Sequence, residues 1–310
     1  MNEQDRSRLP SRREVLAAGA LAPIGLGALA QRGAPAPVPA ATTTTALGPP
    51  PYTLSINMEI MFRSTKLSRA DRIRAIAAKG FKGYSFWSAN ADDRAAMLKA
   101  QQETGLTCVS LVGTGPAGSS TGFTRPGSAD VLLNEIRERV EIAKSFGAPD
   151  LISFVGLYHN DVPWDVQRAG IIDGLKRAGD IAAAGGVTIA FEPLSDLPRR
   201  ALDRTAEAFP VIQEVNHPNV KLCFDIYHLQ RTEGNIVVNL RRGLSEKLIK
   251  VVQIGDNPGR LEPGTGEINY PFIFKELRRL GYSGWLDTEM GTSSTADHAM
   301  EVARKLSLAN

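Results

Sequence analysis

VTIAFE (187–192), VKLCFD (220–225), LIKVVQ (248–253) and GWLDTE (284–289) are four apolar runs, and each closes on an oxygen-bearing side chain: Glu192, Asp225, Gln253 and Glu289. These closing residues lie 33, 28 and 36 positions apart, each interval about the length of one strand plus one helix in a parallel α/β protein. Side chains at the carboxyl ends of successive parallel strands converge on one mouth. The pattern therefore predicts three carboxylates and one amide in a small volume. One acid after a strand reads as the cap of the next helix, but four in register read as a site for a divalent cation. Hard oxygen donors suit Mn²⁺ or Mg²⁺, with zinc less favoured.

Outward from these runs the same alternation continues. Strands are predicted near 53–58, 82–87, 106–112, 150–155, 187–192, 220–225, 249–254 and 284–289. Amphipathic helices are predicted over 68–79, 91–104, 129–146, 164–184, 204–215, 235–246, 271–280 and 295–307. Eight strand-helix units with no β-meander define an α/β fold of the (β/α)₈ TIM barrel type. Glycines stand where helices must stop, among them Gly80, Gly105, Gly147 and Gly281. A doubly wound sheet would need a glycine-rich phosphate loop after its first strand, and NMEIMFRST (57–65) is not one.

The 310-residue chain is 43% hydrophobic and 22% charged, enough for one large core. With 36 basic against 33 acidic residues the net charge is +3, so no basic face dominates and nucleic acid is not an implied partner. Cys108 and Cys223 each sit inside an apolar strand and read as small buried residues, not as a disulfide.

The first segment is an address. Ser11-Arg12-Arg13-Glu14-Val15-Leu16 precedes an uncharged stretch from Ala17 to Ala30, which looks like a twin-arginine export signal. That stretch is short for a membrane span, and its glycines weaken a helix. Residues 31–51 form a Pro/Ala/Thr-rich tract that cannot bury a core and reads as a linker. The expected division is a signal over 1–30, a linker over 31–51 and a barrel over 52–310. The export machinery is then a partner, the destination is the periplasm or beyond, and no stable membrane insertion follows processing.

FEPLSD (191–196), DIYHLQ (225–230), VQIGDNPGRLEPGTGEINYPFIF (252–274) and TEM (288–290) together resemble the hydroxypyruvate isomerase branch of the xylose isomerase-like TIM barrels. The likeness covers residues 52–307, with its specific motifs in the last 120 or so. It implies metal ligands at Glu192, Asp225, Gln253 and Glu289, and substrate-binding residues at His228 and Arg260. Related ketose 3-epimerases tend to carry His at the position of Gln253, which favours the isomerase branch. One departure is KGYSFWSA (82–89), with aromatics where many relatives place an acid.

The expected activity is metal-dependent isomerisation of a small α-hydroxy carbonyl acid, hydroxypyruvate to tartronate semialdehyde. Glu192 and Glu289 would move the proton through an enediolate. The planar fork of Arg260 suits a substrate carboxylate, and His228 suits a substrate oxygen or the support of Glu192. His217 and His298 read as surface or structural residues, and Glu267 as a brace within its own loop. His159, Trp87 and Trp164 read as pocket lining or core cover. Three alternatives stay open: a ketose 3-epimerase, a sugar or sugar-acid isomerase on the same site, and a non-catalytic binding barrel. A homo-oligomer is compatible with any of them. A multi-zinc endonuclease of the same superfamily needs a histidine-rich cluster, and the chain has four His in all.

Overall fold

The computed structural model describes residues 49–309 apart from 117 and 197. The proposed signal, and the linker up to residue 48, lie outside the described residues. The described residues fall in one compact unit, Ala46–Asn310.

Eight parallel strands close into a barrel in chain order, with β8 paired back to β1. They are β1 (Thr53–Asn57), β2 (Gly83–Phe86), β3 (Thr107–Val112), β4 (Asp150–Ser153), β5 (Thr188–Phe191), β6 (Val220–Asp225), β7 (Ile249–Gln253) and β8 (Trp285–Thr288). The eight expected helices form around them: α2 (Arg69–Ala78), α3 (Ala91–Thr104), α4 (Ala129–Phe146), α5 (Trp164–Ala184), α6 (Thr205–Val215), α8 (Ile236–Ser245), α9 (Tyr270–Arg279) and α10 (Ala296–Leu308). Two short helices follow strands directly, α1 (Met58–Met61) after β1 and α7 (Ile226–Thr232) after β6. Both are started by the preceding side chain: Asn57 accepts from the amides of Glu59 and Ile60, and Asp225 from those of Tyr227 and His228. Each packs too few apolar residues to show a 3.6-residue period, so the pattern of the sequence passes over them.

Helix stops follow the glycines. Gly105 and Gly147 hold left-handed backbone, φ 68° and 66°, at the ends of α3 and α4, a conformation open to glycine because no Cβ obstructs it. Most buried apolar side chains form one continuous core. A small separate cluster of Ile152, Ala190, Cys223 and Val251 on β4–β7 packs with Phe154, and Ile152 and Phe154 also line the cavity at the barrel mouth. Both cysteines are buried and free. Among the described residues no helix is long and apolar enough to cross a membrane.

Strand register builds the floor of the mouth. The pairing of β6 with β7 slips between Leu222 and Cys223, which brings Asp225 opposite Gln253. Gln253 is in turn opposite Asp287 on β8, and Asp287 opposite Ser55 on β1.

Candidate active site

Asp225 and Gln253 are the last residues of β6 and β7, whereas Glu192 and Glu289 stand one residue beyond β5 and β8. The strands are thus a residue shorter than the apolar runs, because these two glutamates are where the chain turns into the mouth. All four are buried. Glu192, Gln253, Glu289, His228 and Arg260 line one cavity of 590 Å³.

Asp225 carries both of the roles its position allows. Oδ1 caps α7, accepting from the Tyr227 amide at 2.8 Å, while Oδ2 accepts from Arg260 Nη2 at 2.6 Å. Because the strand runs straight into a helix, His228 follows within one turn and faces the same mouth. Ligand atoms of Glu192, Asp225 and His228 lie within 4.8 Å of one another, so this buried group can hold a metal ion. Glu289 is outside that tight group: its Oε1 accepts from Trp87 Nε1 at 3.0 Å and lies 3.4 Å from Arg260 Nη2. The guanidinium of Arg260 lies close to both Asp225 and Glu289.

The charges explain the protonation states. Burial, then repulsion from Glu289 and Asp225, holds Glu192 well above the usual carboxylate range, and its Oε1 has no hydrogen-bond partner. Burial pushes Glu289 up to about 7, with Arg260 opposing the shift. Burial brings His228 down to about 4, so the ring is neutral near pH 7. Burial disfavours the charge on Arg260, but Asp225, Glu289 and Glu192 outweigh it and hold the guanidinium more firmly protonated than usual.

Every nitrogen of Arg260 is engaged by the protein. Nε donates to the Glu289 carbonyl at 3.0 Å, Nη2 reaches Asp225 and Glu289, and Nη1 lies 2.7 Å from His228 Nε2. His228 Nδ1 already accepts from the Ser195 amide at 3.1 Å. A neutral imidazole has one acceptor nitrogen, so the contacts from Ser195 and Arg260 compete for it.

Arg260 stands at φ 52°, a left-handed backbone that a side chain rarely adopts. Its amide bonds Asp256 O and its carbonyl accepts from Gly291 N, each at 2.7 Å. The loop around it is organised by Asp256, fully buried, whose two oxygens accept from the amides of Asn257, Gly264, Gly266 and Ile268. Glu267 braces the same loop, accepting from Asn257 Nδ2. The physical content of QIGDNPGR and GEINYPF is therefore a folded loop that delivers Arg260 against the acids.

Several contributors escape a reading confined to strand ends. Asp287 accepts from Ser55 Oγ at 2.7 Å, Ser85 Oγ at 2.8 Å and Gln253 Nε2 at 3.4 Å. It lies two residues before Glu289 and so on the same strand face, which is the signal that marks it. Cys223, two before Asp225, places Sγ 2.9 Å from Gln253 Oε1. Trp87, directly after β2, is the donor to Glu289. Trp164 packs against Tyr158 instead, and His298 stands exposed beside Glu262.

The residues fit a divalent cation. Three buried carboxylates face one another, one of their oxygens has no partner, Arg260 is the one guanidinium paired with them among the described residues, and Gln253 and neutral His228 add donors without charge.

The xylose isomerase-like TIM barrel family matches residues 73–306, and the chain belongs to it. It is 32% identical over 225 residues to a 2-oxo-tetronate isomerase of Cupriavidus necator, covering 71% of this chain and 85% of that protein. It is 29% identical over 174 residues to the hydroxypyruvate isomerase of Escherichia coli, covering 56% of this chain and 67% of that one. A solved structure described as an AP endonuclease, family 2, from Brucella melitensis superposes with a TM-score of 0.73 at 24% identity, over 80% of this chain and 96% of the other, a likeness of fold alone.

Proposed function

We propose that this barrel is a divalent-metal-dependent isomerase of small α-hydroxy oxo acids, with hydroxypyruvate and tartronate semialdehyde as the leading pair. The observation that carries the reading is two buried glutamates, Glu192 and Glu289, in one cavity with Gln253 and a neutral His228, and Asp225 buried within reach of Glu192 and His228. The relatives named as isomerases of hydroxypyruvate and of 2-oxo-tetronate support it.

When bound, a Mn²⁺ or Mg²⁺ ion held by Glu192, Asp225, Gln253 and Glu289 supplies Lewis acidity towards the oxygens of an enediolate. One glutamate takes a proton from the hydroxymethyl carbon beside the carbonyl. The electron pair it leaves forms the enediolate, and a proton is then returned to the former carbonyl carbon, giving the aldehyde. Burial raises both glutamates in the metal-free site, and a bound cation would draw them back to the ionised form, in which a glutamate can accept the proton. His228 and Arg260, in contact with each other and with Arg260 bonded to Asp225, hold the acids in place and balance their charge. Trp87 orients Glu289 through its indole N–H.

A cavity of 590 Å³ exceeds what a three-carbon acid fills. This favours, as a second reading, a sugar acid of four or more carbons isomerised by the same pair.

The test is the full-length protein stripped of metal, reloaded with Mn²⁺ or Mg²⁺, and assayed on hydroxypyruvate and 2-oxo-tetronate. Activity that returns with metal and is lost in Glu192→Gln supports the reading. No turnover of either acid by the loaded wild type contradicts it and makes neutral ketoses the next substrates.

We also propose export through the twin-arginine pathway, on the strength of Ser11–Leu16 and the apolar stretch behind it. Changing both Arg12 and Arg13 to Lys should retain the protein in the cytoplasm, and undiminished export of that variant would contradict the proposal.

A further inference from the structure

Arg63, Arg139 and Arg200 line the cavity and are left idle by the reaction described above, and of the three Arg200 is the one with buried nitrogens that lack a partner. It belongs to the loop after β5, and its backbone is pinned: an antiparallel bridge joins Arg200 to Leu157, the Ala201 amide donates to Gly156 O at 3.1 Å, and the Tyr158 amide to Arg199 O at 2.9 Å. The loop after β5 is thereby zipped to the loop after β4. The guanidinium stacks over Phe154, 5.6 Å from the ring centroid, and both residues line the cavity that holds Glu192 and Glu289.

Its side chain is 14% exposed, and Nε and Nη1 are buried without a hydrogen-bond partner. The nearest carboxylate is the half-exposed Asp196, 3.7 Å from Nη2. Buried guanidinium N–H groups are costly to leave unpaired, and each of the two planar forks, Nε with Nη2 and Nη1 with Nη2, has a free donor and matches a carboxylate. Arg260, the arginine nearest the acids, has every nitrogen engaged by Asp225, Glu289 and His228. Aromatic stacking on Phe154 and the bridge to Leu157 fix where the free edge stands, so its order is already established before a ligand arrives.

We propose that Arg200 is the carboxylate anchor of this site: the substrate is an acid whose carboxylate takes one fork of Arg200, Nη2 together with Nε or Nη1, while its hydroxy-carbonyl end meets the glutamates. This rests on the isomerase reading for the identity of the acid, but the anchor itself is testable without turnover. The selectivity of the site for acids over neutral ketoses then lies in the loop after β5, not in Arg260.

The experiment is calorimetric titration of the Mn²⁺-loaded full-length protein with D-glycerate, an α-hydroxy acid with no carbonyl to isomerise, in wild type, Arg200→Gln and Arg200→Lys. Mn²⁺ affinity of each is measured in parallel by electron spin resonance. Loss of a charge-assisted pair should weaken glycerate binding roughly 10- to 100-fold in Arg200→Gln, with Arg200→Lys in between and Mn²⁺ affinity unchanged. Three outcomes overturn the proposal: glycerate does not bind the wild type, it binds Arg200→Gln as tightly as wild type, or both Arg200 variants lose Mn²⁺ as well, which assigns the residue a structural role. Failure of the isomerase reading shows separately, as wild type that binds glycerate yet turns over no oxo acid.

Discussion

Arg260 Nη2 lies 2.6 Å from Asp225 Oδ2 and 3.4 Å from Glu289 Oε1, so the guanidinium supplies the counter-charge for a cluster of buried carboxylates. Removing one member of a buried ion pair typically costs about 3–5 kcal/mol because the remaining charge is left unpaired. Arg260→Met should therefore destabilise the metal-free protein by about that much in urea denaturation with chelator present. Saturating Mn²⁺ should recover much of the loss, since a cation replaces the missing charge. A variant as stable as wild type in chelator would show that the acids do not depend on Arg260.

Asp287 is the acceptor beneath the site, bonded by Ser55, Ser85 and Gln253 from three other strands. Asp287→Ala strands two hydroxyls and an amide, at an expected cost of about 3 kcal/mol. It also frees Gln253 to rotate, so Mn²⁺ affinity should fall roughly tenfold or more. Paired denaturation and metal titration check both effects. Unchanged metal affinity would separate Gln253 from the cation.

Arg260→Ala should lower turnover of acidic and neutral substrates alike, because its contacts are to Asp225, Glu289 and His228. Discrimination against neutral ketoses should instead collapse in Arg200→Gln. Comparing kcat/KM for hydroxypyruvate and dihydroxyacetone in the two variants checks this; selective loss of the acid in Arg260→Ala would reverse the assignment.

Asp150, at the start of β4, is buried and its Oδ1 has no hydrogen-bond partner, with Lys250 Nζ 3.7 Å away. Burial pushes its pKa up to about 7, partly offset by Lys250. The folded protein therefore keeps a proton that the unfolded chain releases near pH 4. The stability this proton contributes is complete below about pH 4 and is lost as pH rises to about 7. Asp150→Asn should remove that part of the pH dependence and raise stability near pH 8 by roughly 2 kcal/mol. Denaturation midpoints measured across pH decide it, and an unaltered slope between pH 4 and 7 would count against the shift.

The barrel was legible because its strands are continuous apolar runs separated by amphipathic stretches and stopped by glycines such as Gly105 and Gly147, signals that act locally. Glu192, Asp225, Gln253 and Glu289 were legible for the same reason: strand ends in this architecture share one mouth. The partners of those residues were not. Trp87 reaches Glu289 across 202 positions and Asp287 reaches Ser55 across 232, distances over which no sequence period operates. Arg260 illustrates the division: its motif marked it, but its left-handed backbone and its engagement with Asp225 depend on how Asp256 folds the loop. Arg200 was passed over because a basic residue in a polar loop looks solvated until the bridge to Leu157 turns it inward.

The most direct measurement follows the hydroxymethyl protons of hydroxypyruvate by proton NMR in D₂O, with the full-length protein metal-stripped and then reloaded with Mg²⁺. Deuterium entering the substrate, and tartronate semialdehyde forming only after Mg²⁺ is restored, with both lost by a factor of about a hundred or more in Glu289→Gln, is the expected result. Neither exchange nor conversion in the reloaded wild type, or both proceeding undiminished in Glu289→Gln, would contradict proton transfer by the paired glutamates.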